Sequence, residues 1–133
     1  MNTYNIKDED FINTKSYQDF IKSNPTEGYL KIRAFAASQA IPISGLNIII
    51  SKIIDNNKVI FFEGATNESG IIERIILPAP RLLSSNLDTP NSTEYDITAI
   101  YNKIESLYKV RIYENVYVIQ NISVVPEMNK GDL

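Results

Sequence analysis

Apolar and polar residues alternate with a period of two along most of this chain, and Asp, Asn, Gly and Pro break the alternation at short intervals. Successive side chains of a strand point to opposite faces, so this period predicts β-structure throughout. The clearest run is Gly28 to Ala37. Leu30, Ile32, Ala34 and Ala36 share the expected core face, while Tyr29, Lys31, Arg33 and Phe35 share a mixed one. Leu46 to Ile54 is almost continuously β-branched, which predicts a strand covered on both sides. Between them Ile41-Pro42-Ile43-Ser44-Gly45 reads as a turn, with Gly45 supplying a backbone angle that other residues resist.

The later runs follow the same grammar. Asp55-Asn56-Asn57 has hairpin-turn composition and leads into a strand over Lys58 to Thr66, with Phe61 and Phe62 expected on opposite faces. Asn67-Glu68-Ser69-Gly70 is a second turn, and a strand over Ile71 to Leu77 is expected to stop at Pro78-Ala79-Pro80. Residues 81–93 lack a period and read as a crossing loop. A strand over Glu94 to Tyr101 places Tyr95, Ile97, Ala99 and Tyr101 together, and Asn102 to Leu107 reads as a polar connection. Two final strands, 108–114 and 116–125, flank Glu114-Asn115; Pro126 closes the domain and residues 127–133 are expected to fray.

Only one segment has helical spacing. Tyr17, Phe20 and Ile21 fall on one face of a short helix over 16–23, with Ser16 as N-cap and Asn24-Pro25 as the stop. So short a helix must dock its aromatic face on the rest of the domain. Residues 1–15 read as a mobile or loosely docked arm. The whole predicts an all-β fold: one seven-strand antiparallel β-sandwich domain over 16–126, with the helix at its start.

Composition narrows the chemistry. A chain of 133 residues buries roughly two-thirds of its unfolded surface, enough for a core without metal or disulfide staples. It contains neither Cys nor His, which excludes thiol nucleophiles, thiolate or imidazole metal sites and every Ser-His or Cys-His pair. The net charge of −3 and the lack of clustered Lys and Arg argue against nucleic-acid binding. No apolar run approaches the roughly 20 residues of a membrane span, and the polar, acidic first ten residues do not resemble a secretory signal. Cytoplasmic synthesis is the expectation, and no cofactor is expected.

Three groups of residues then line up in order. The first is Asp19-Phe20-Ile21 with Asn24-Pro25 and Gly28-Tyr29-Leu30-Lys31-Ile32. The second is Ala40-Ile41-Pro42-Ile43 with Gly45, Thr66 to Gly70, and Leu77-Pro78-Ala79-Pro80. The third is Glu94-Tyr95-Asp96-Ile97, Glu114-Asn115-Val116 and Ile119-Gln120-Asn121-Ile122, ending at Pro126. This order resembles the carboxypeptidase-regulatory-like, or transthyretin-like, β-sandwich modules over about residues 17–126. More narrowly, it resembles the non-catalytic module of spore cortex-lytic enzymes and related peptidoglycan-associated proteins. The resemblance implies a prealbumin-like sandwich that is not an enzyme. It implies a binding or accessory role with peptidoglycan, another glycan, or a cortex-lytic or spore-envelope protein as partner, hence a spore association. It carries over no catalytic residue, and the histidine-dependent hydrolases of the transthyretin-like group are excluded because this chain has no histidine.

Other candidates weigh less against simpler readings. Ser106-Leu107-Tyr108-Lys109 matches S-x-x-K, but the companion S-D-N and K-T-G motifs are missing, so a turn entering a strand explains it. Glu63, Glu68, Glu73 and Asp96 are the acids available to a glycan hydrolase; Glu68 sits in a turn and the others at outward strand positions. Lys31 and Asn121 could form an isopeptide bond only if they met beside a buried acid, and the alternation turns Lys31 outward. Asp55-Asn56-Asn57 offers too few oxygens for calcium. Sequons at Asn67, Asn91 and Asn121 carry no weight in so Asn-rich a chain. Tyr101, Tyr108, Tyr113 and Tyr117, near Lys103, Lys109 and Arg111, form the candidate ligand-contact surface, on which a sugar could stack. The alternative is a structural subunit that docks into a larger assembly through its edge strands.

Overall fold

A computed structural model describes residues 1–36, 40–83 and 90–124. In chain order the elements are β1 (Thr3–Asn5), α1 (Glu9–Ile12), α2 (Lys15–Ser23), β2 (Thr26–Ala36), β3 (Ile41–Pro42), β4 (Asn47–Ile54), β5 (Asn57–Ala65), β6 (Ile71–Ala79), β7 (Thr93–Tyr101), β8 (Ile104–Ile112) and β9 (Tyr117–Ser123). One sheet, sheet A, has the order β1-β5-β4-β7-β8. The other, sheet B, has the order β3-β2-β6, with β9 also paired to β2. The fold is all-β and sandwich-like. Its single core draws Leu30, Ile32, Ile75 and Leu77 from sheet B and Ile48, Ile50, Val59, Tyr95, Ile97 and Ile112 from sheet A.

The strand count and direction differ from expectation. Nine strands, not seven, are present among the described residues, and two pairs are parallel: β1 with β5, and β2 with β9. Alternation of side chains is the same in parallel and antiparallel strands, so the period could not distinguish them.

Residues 1–15 are also not a loose arm. β1 extends sheet A, and Phe11 of α1 is 1% exposed, stacked on Tyr4 with ring centroids 4.9 Å apart and set edge-on to Tyr17 at 5.5 Å. Burial of Phe11 between the half-buried Tyr4 and Tyr17 rings provides a docking energy that the polar composition of the segment conceals. The helix that follows begins one residue early. Its cap is Thr14, whose hydroxyl accepts from the Tyr17 N–H, rather than Ser16. Phe20 then meets Phe61 at 5.6 Å, docking the helix as its aromatic face requires.

Other boundaries shift for local reasons. β6 runs through Pro78 to Ala79 because, among the described residues, it is paired only to β2, so a missing proline N–H on the other edge breaks no ladder. Asn102 and Lys103, expected in a six-residue connection, instead form a tight turn at φ 50° and 67°, and β8 starts at Ile104. β4 is covered fully on one face only: Ile48, Ile50 and Ile54 are buried, while Ile53 is 46% exposed. A bulge skips Phe61 in the pairing of β4 with β5, so Phe62 lies opposite the buried Ile50 and packs against the core instead of facing away. Ala37, residues 84–89 of the expected 81–93 loop, Pro126 and residues 127–133 lie outside the described residues.

Polar and aromatic residues among those that line up in the sequence hold this frame together. The Thr66 hydroxyl donates to the Ile43 carbonyl at 2.6 Å and accepts from the Leu46 N–H at 3.0 Å, tying two loops. Asn24 donates to the Phe20 carbonyl at 2.9 Å and accepts from the Thr93 hydroxyl, closing α2 onto the start of β7. Tyr95 and Ile97 are both fully buried.

Candidate functional site

β2 is the central strand of sheet B, and its alternation decides what the outer face carries. Leu30, Ile32 and Ala34 point to the core, so Tyr29, Lys31 and Arg33 point outward. β9 runs parallel beside it with Tyr117 opposite Tyr29, Ile119 opposite Lys31 and Asn121 opposite Arg33. On the other side β6 sets Ile76 against Tyr29.

The Tyr29 and Tyr117 rings lie 5.8 Å apart at 32°, and the Arg74 guanidinium sits over the Tyr29 ring at 4.5 Å. Tyr117 reaches across β2 and its hydroxyl donates to the Glu73 carbonyl on β6. That bond tethers the tip of the ring to β6 while 48% of the residue stays exposed. Lys31 pairs with Glu73 at 3.6 Å, and Arg33 is exposed. The result is a fixed aromatic plane flanked by Ile76 and Ile119 and by three cations. Glu73 and, at the near end of β2, Glu27 are the acids on the same face.

The expected tyrosine surface is thereby divided. Tyr117 lies on the outer face of sheet B. Tyr101 and Tyr108 pack against the core from the inner side of β7 and β8, and Tyr113 follows β8 half-buried. Lys103, Lys109 and Arg111 stay with sheet A. Tyr29 completes the aromatic pair instead. The signal for it was available, since Tyr29 alternates with buried Leu30, but its neighbour across the sheet depends on a pairing 88 residues distant in sequence.

The other candidates separate too. Ser106 and Lys109 stand on opposite faces of β8, Ser106 opposite Ala99 and Lys109 opposite Asp96. Lys109 binds Asp96 at 2.8 Å and lies 3.8 Å from Glu94; the hydrogen bond to Asp96 is the main reason its ammonium titrates above the usual lysine range. Glu63 is exposed on β5, Glu68 in the turn before β6, and Glu73 on the opposite sheet. Lys31 and Asn121 share the outer face, but the acid beside Lys31, Glu73, is 73% exposed rather than buried. Asp55 and Asn56, at φ 47° and 65°, form the hairpin turn expected of them. Among the described residues no group of three acids is arranged to hold a metal ion, and no helix is long and apolar enough to cross a membrane.

A groove crosses the outer face of sheet A. This groove of about 620 Å³ is lined by Ser51, Ile53 and Lys58 on β4 and β5, and by Asp96, Thr98, Leu107 and Lys109 on β7 and β8. Ser51 and Thr98 form its floor at 4% and 9% exposure, and the Lys109–Asp96 ion pair crosses its wall.

Compared with known proteins, the chain matches no family model, and no curated protein matches its sequence.

Proposed function

We propose that this chain is a non-catalytic binding module whose ligand is a carboxylate-bearing glycan of the peptidoglycan type, held on the outer face of sheet B. The observation that carries the reading is Tyr117. Its half-exposed ring is tethered by the bond to the Glu73 carbonyl and packed beside Tyr29, so it offers a stacking surface with less side-chain freedom left to lose on binding. Aromatic planes of this kind accept the apolar face of a sugar ring. Arg74, Lys31 and Arg33 on the same face supply positive charge that favours an acidic polymer. The resemblance to regulatory-like modules of cortex-lytic enzymes favours the same ligand class and a prealbumin-like relation of the two sheets.

The test is co-sedimentation of the purified chain with insoluble peptidoglycan, from vegetative wall and from spore cortex. Retention that falls on replacing Tyr117 by Ala is expected. Equal recovery in the supernatant with and without the polymer overturns the reading.

A further inference from the structure

Among the described residues β8 pairs with β7 alone, so its other edge presents unpaired backbone N–H and C=O groups along Ile104–Ile112. Two large apolar residues are unusually exposed on this strand, Leu107 at 76% and Ile104 at 54%. Natural edges are usually shielded; this one is long, regular and partly apolar.

The charges on β8 suggest what meets it. Glu105, Leu107, Lys109 and Arg111 share the outer face, because their partners on β7 are Ile100, Thr98, Asp96 and Glu94. Read antiparallel against itself about Tyr108, the strand is self-complementary. Glu105 falls opposite Arg111, Leu107 opposite the stem of Lys109, Ile104 opposite Ile112 and Ser106 opposite Val110. Moving the axis to Leu107 sets Lys103 against Arg111, and moving it to Lys109 sets that lysine against itself. The Leu107 axis also sets Glu105 against Lys109, but of the three only the Tyr108 axis opposes no like charges, which destabilise a pairing when directly opposite across strands.

We propose that two copies of this chain join edge to edge through β8, antiparallel, about a two-fold axis at Tyr108. The contact is isologous, and each Glu105 meets the second copy's Arg111 twice over. Glu105 has no ion pair among the described residues, while Arg111 lies 3.7 Å from Glu94 of its own chain. The second copy's Glu105 therefore completes an acid–guanidinium–acid cluster at each end of the seam. The two five-stranded sheets become one of ten strands. Leu107 and Lys109, which line the sheet A groove, lie at the seam, so the two grooves meet across the axis.

Sedimentation velocity of the whole chain over a concentration series up to about 0.5 mM tests this, because the dimer fraction follows mass action. A monomer–dimer equilibrium is expected. Glu105→Arg and Arg111→Glu should each raise the dissociation constant more than tenfold, with far-ultraviolet circular dichroism unchanged. An equimolar mixture of the two variants should regain the dimer, because every Arg in the mixed pair then faces a Glu. A monomer at all concentrations, a dimer indifferent to both substitutions, or a mixture that stays monomeric overturns the proposal.

Discussion

The phenol of Tyr95, on β7 of one sheet, donates to the backbone carbonyl of Pro78, on β6 of the other, at 2.5 Å. Tyr95 is fully buried, and the Phe61 ring meets it edge-on at 5.1 Å. The bond spans the core, so a single hydroxyl ties the layers.

Burial, with a smaller contribution from Tyr17, pushes the Tyr95 phenol far above the ordinary tyrosine range. The folded state then keeps its proton while the unfolded chain loses it above about pH 10. The stabilisation is complete below that pH and declines above it, by about 1.4 kcal/mol for each further pH unit. Tyr95→Phe should cost about 1 kcal/mol at neutral pH and flatten the alkaline slope. Urea unfolding at pH 8, 10 and 10.5 checks both.

Gly70 and Gly45 both have positive φ, at 73° and 75°, but their surroundings differ. A Cβ on Gly70 would lie 2.4 Å from the Ala34 carbonyl oxygen, whereas one on Gly45 meets nothing within 4 Å. Gly45→Ala should cost only the left-handed penalty of about 1–2 kcal/mol. Gly70→Ala should cost clearly more, because backbone must move. Paired denaturation curves decide it.

Thr66→Val removes the hydroxyl that serves both the Ile43 carbonyl and the Leu46 N–H. Leaving these groups unpaired in a buried site should cost about 1–3 kcal/mol, and Thr66→Ser should recover most of it. Thermal melts of the three proteins provide the comparison.

Phe11→Ala should lower stability by about 3–5 kcal/mol, as truncation of a core aromatic does. A surface arm would leave the midpoint unchanged. The same melts test whether residues 1–14 belong to the cooperative unit.

Tyr117→Ala should weaken retention on peptidoglycan about tenfold, in line with the loss of about 1 kcal/mol from an aromatic contact together with its preorganisation. Tyr117→Phe keeps the ring but not its bond to Glu73, and should fall between. Retention should also decline with added salt, which screens Arg74, Lys31 and Arg33.

Much of the frame was legible because it is local. Alternation placed Leu30, Ile32 and Ala34 in the core, and Tyr95 and Ile97 beside them. The turn residues at Asp55-Asn56 and Gly70 did what their side chains, or lack of one, allow. Pairing across long sequence separations was not legible. Nothing in Tyr29 announces Tyr117, and nothing in Thr3 announces Lys58. Ile104 to Leu107 read as a connection because an edge strand carries Glu105 and Ser106 where a central strand would carry Val or Ile. Phe11 did not stand out, because its partners Tyr4 and Tyr17 come from separate elements.

The parallel seam between β2 and β9 has a consequence for biosynthesis. β2 leaves the ribosome early, yet its lateral neighbour is encoded more than eighty codons downstream. Until translation reaches that point, the nascent polypeptide has a hydrogen-bonding flank of β2 without its β9 partner. Ribosome-stalled chains halted before Tyr117 should therefore be protease-sensitive within sheet B, and resistance should arrive in one step once β9 emerges.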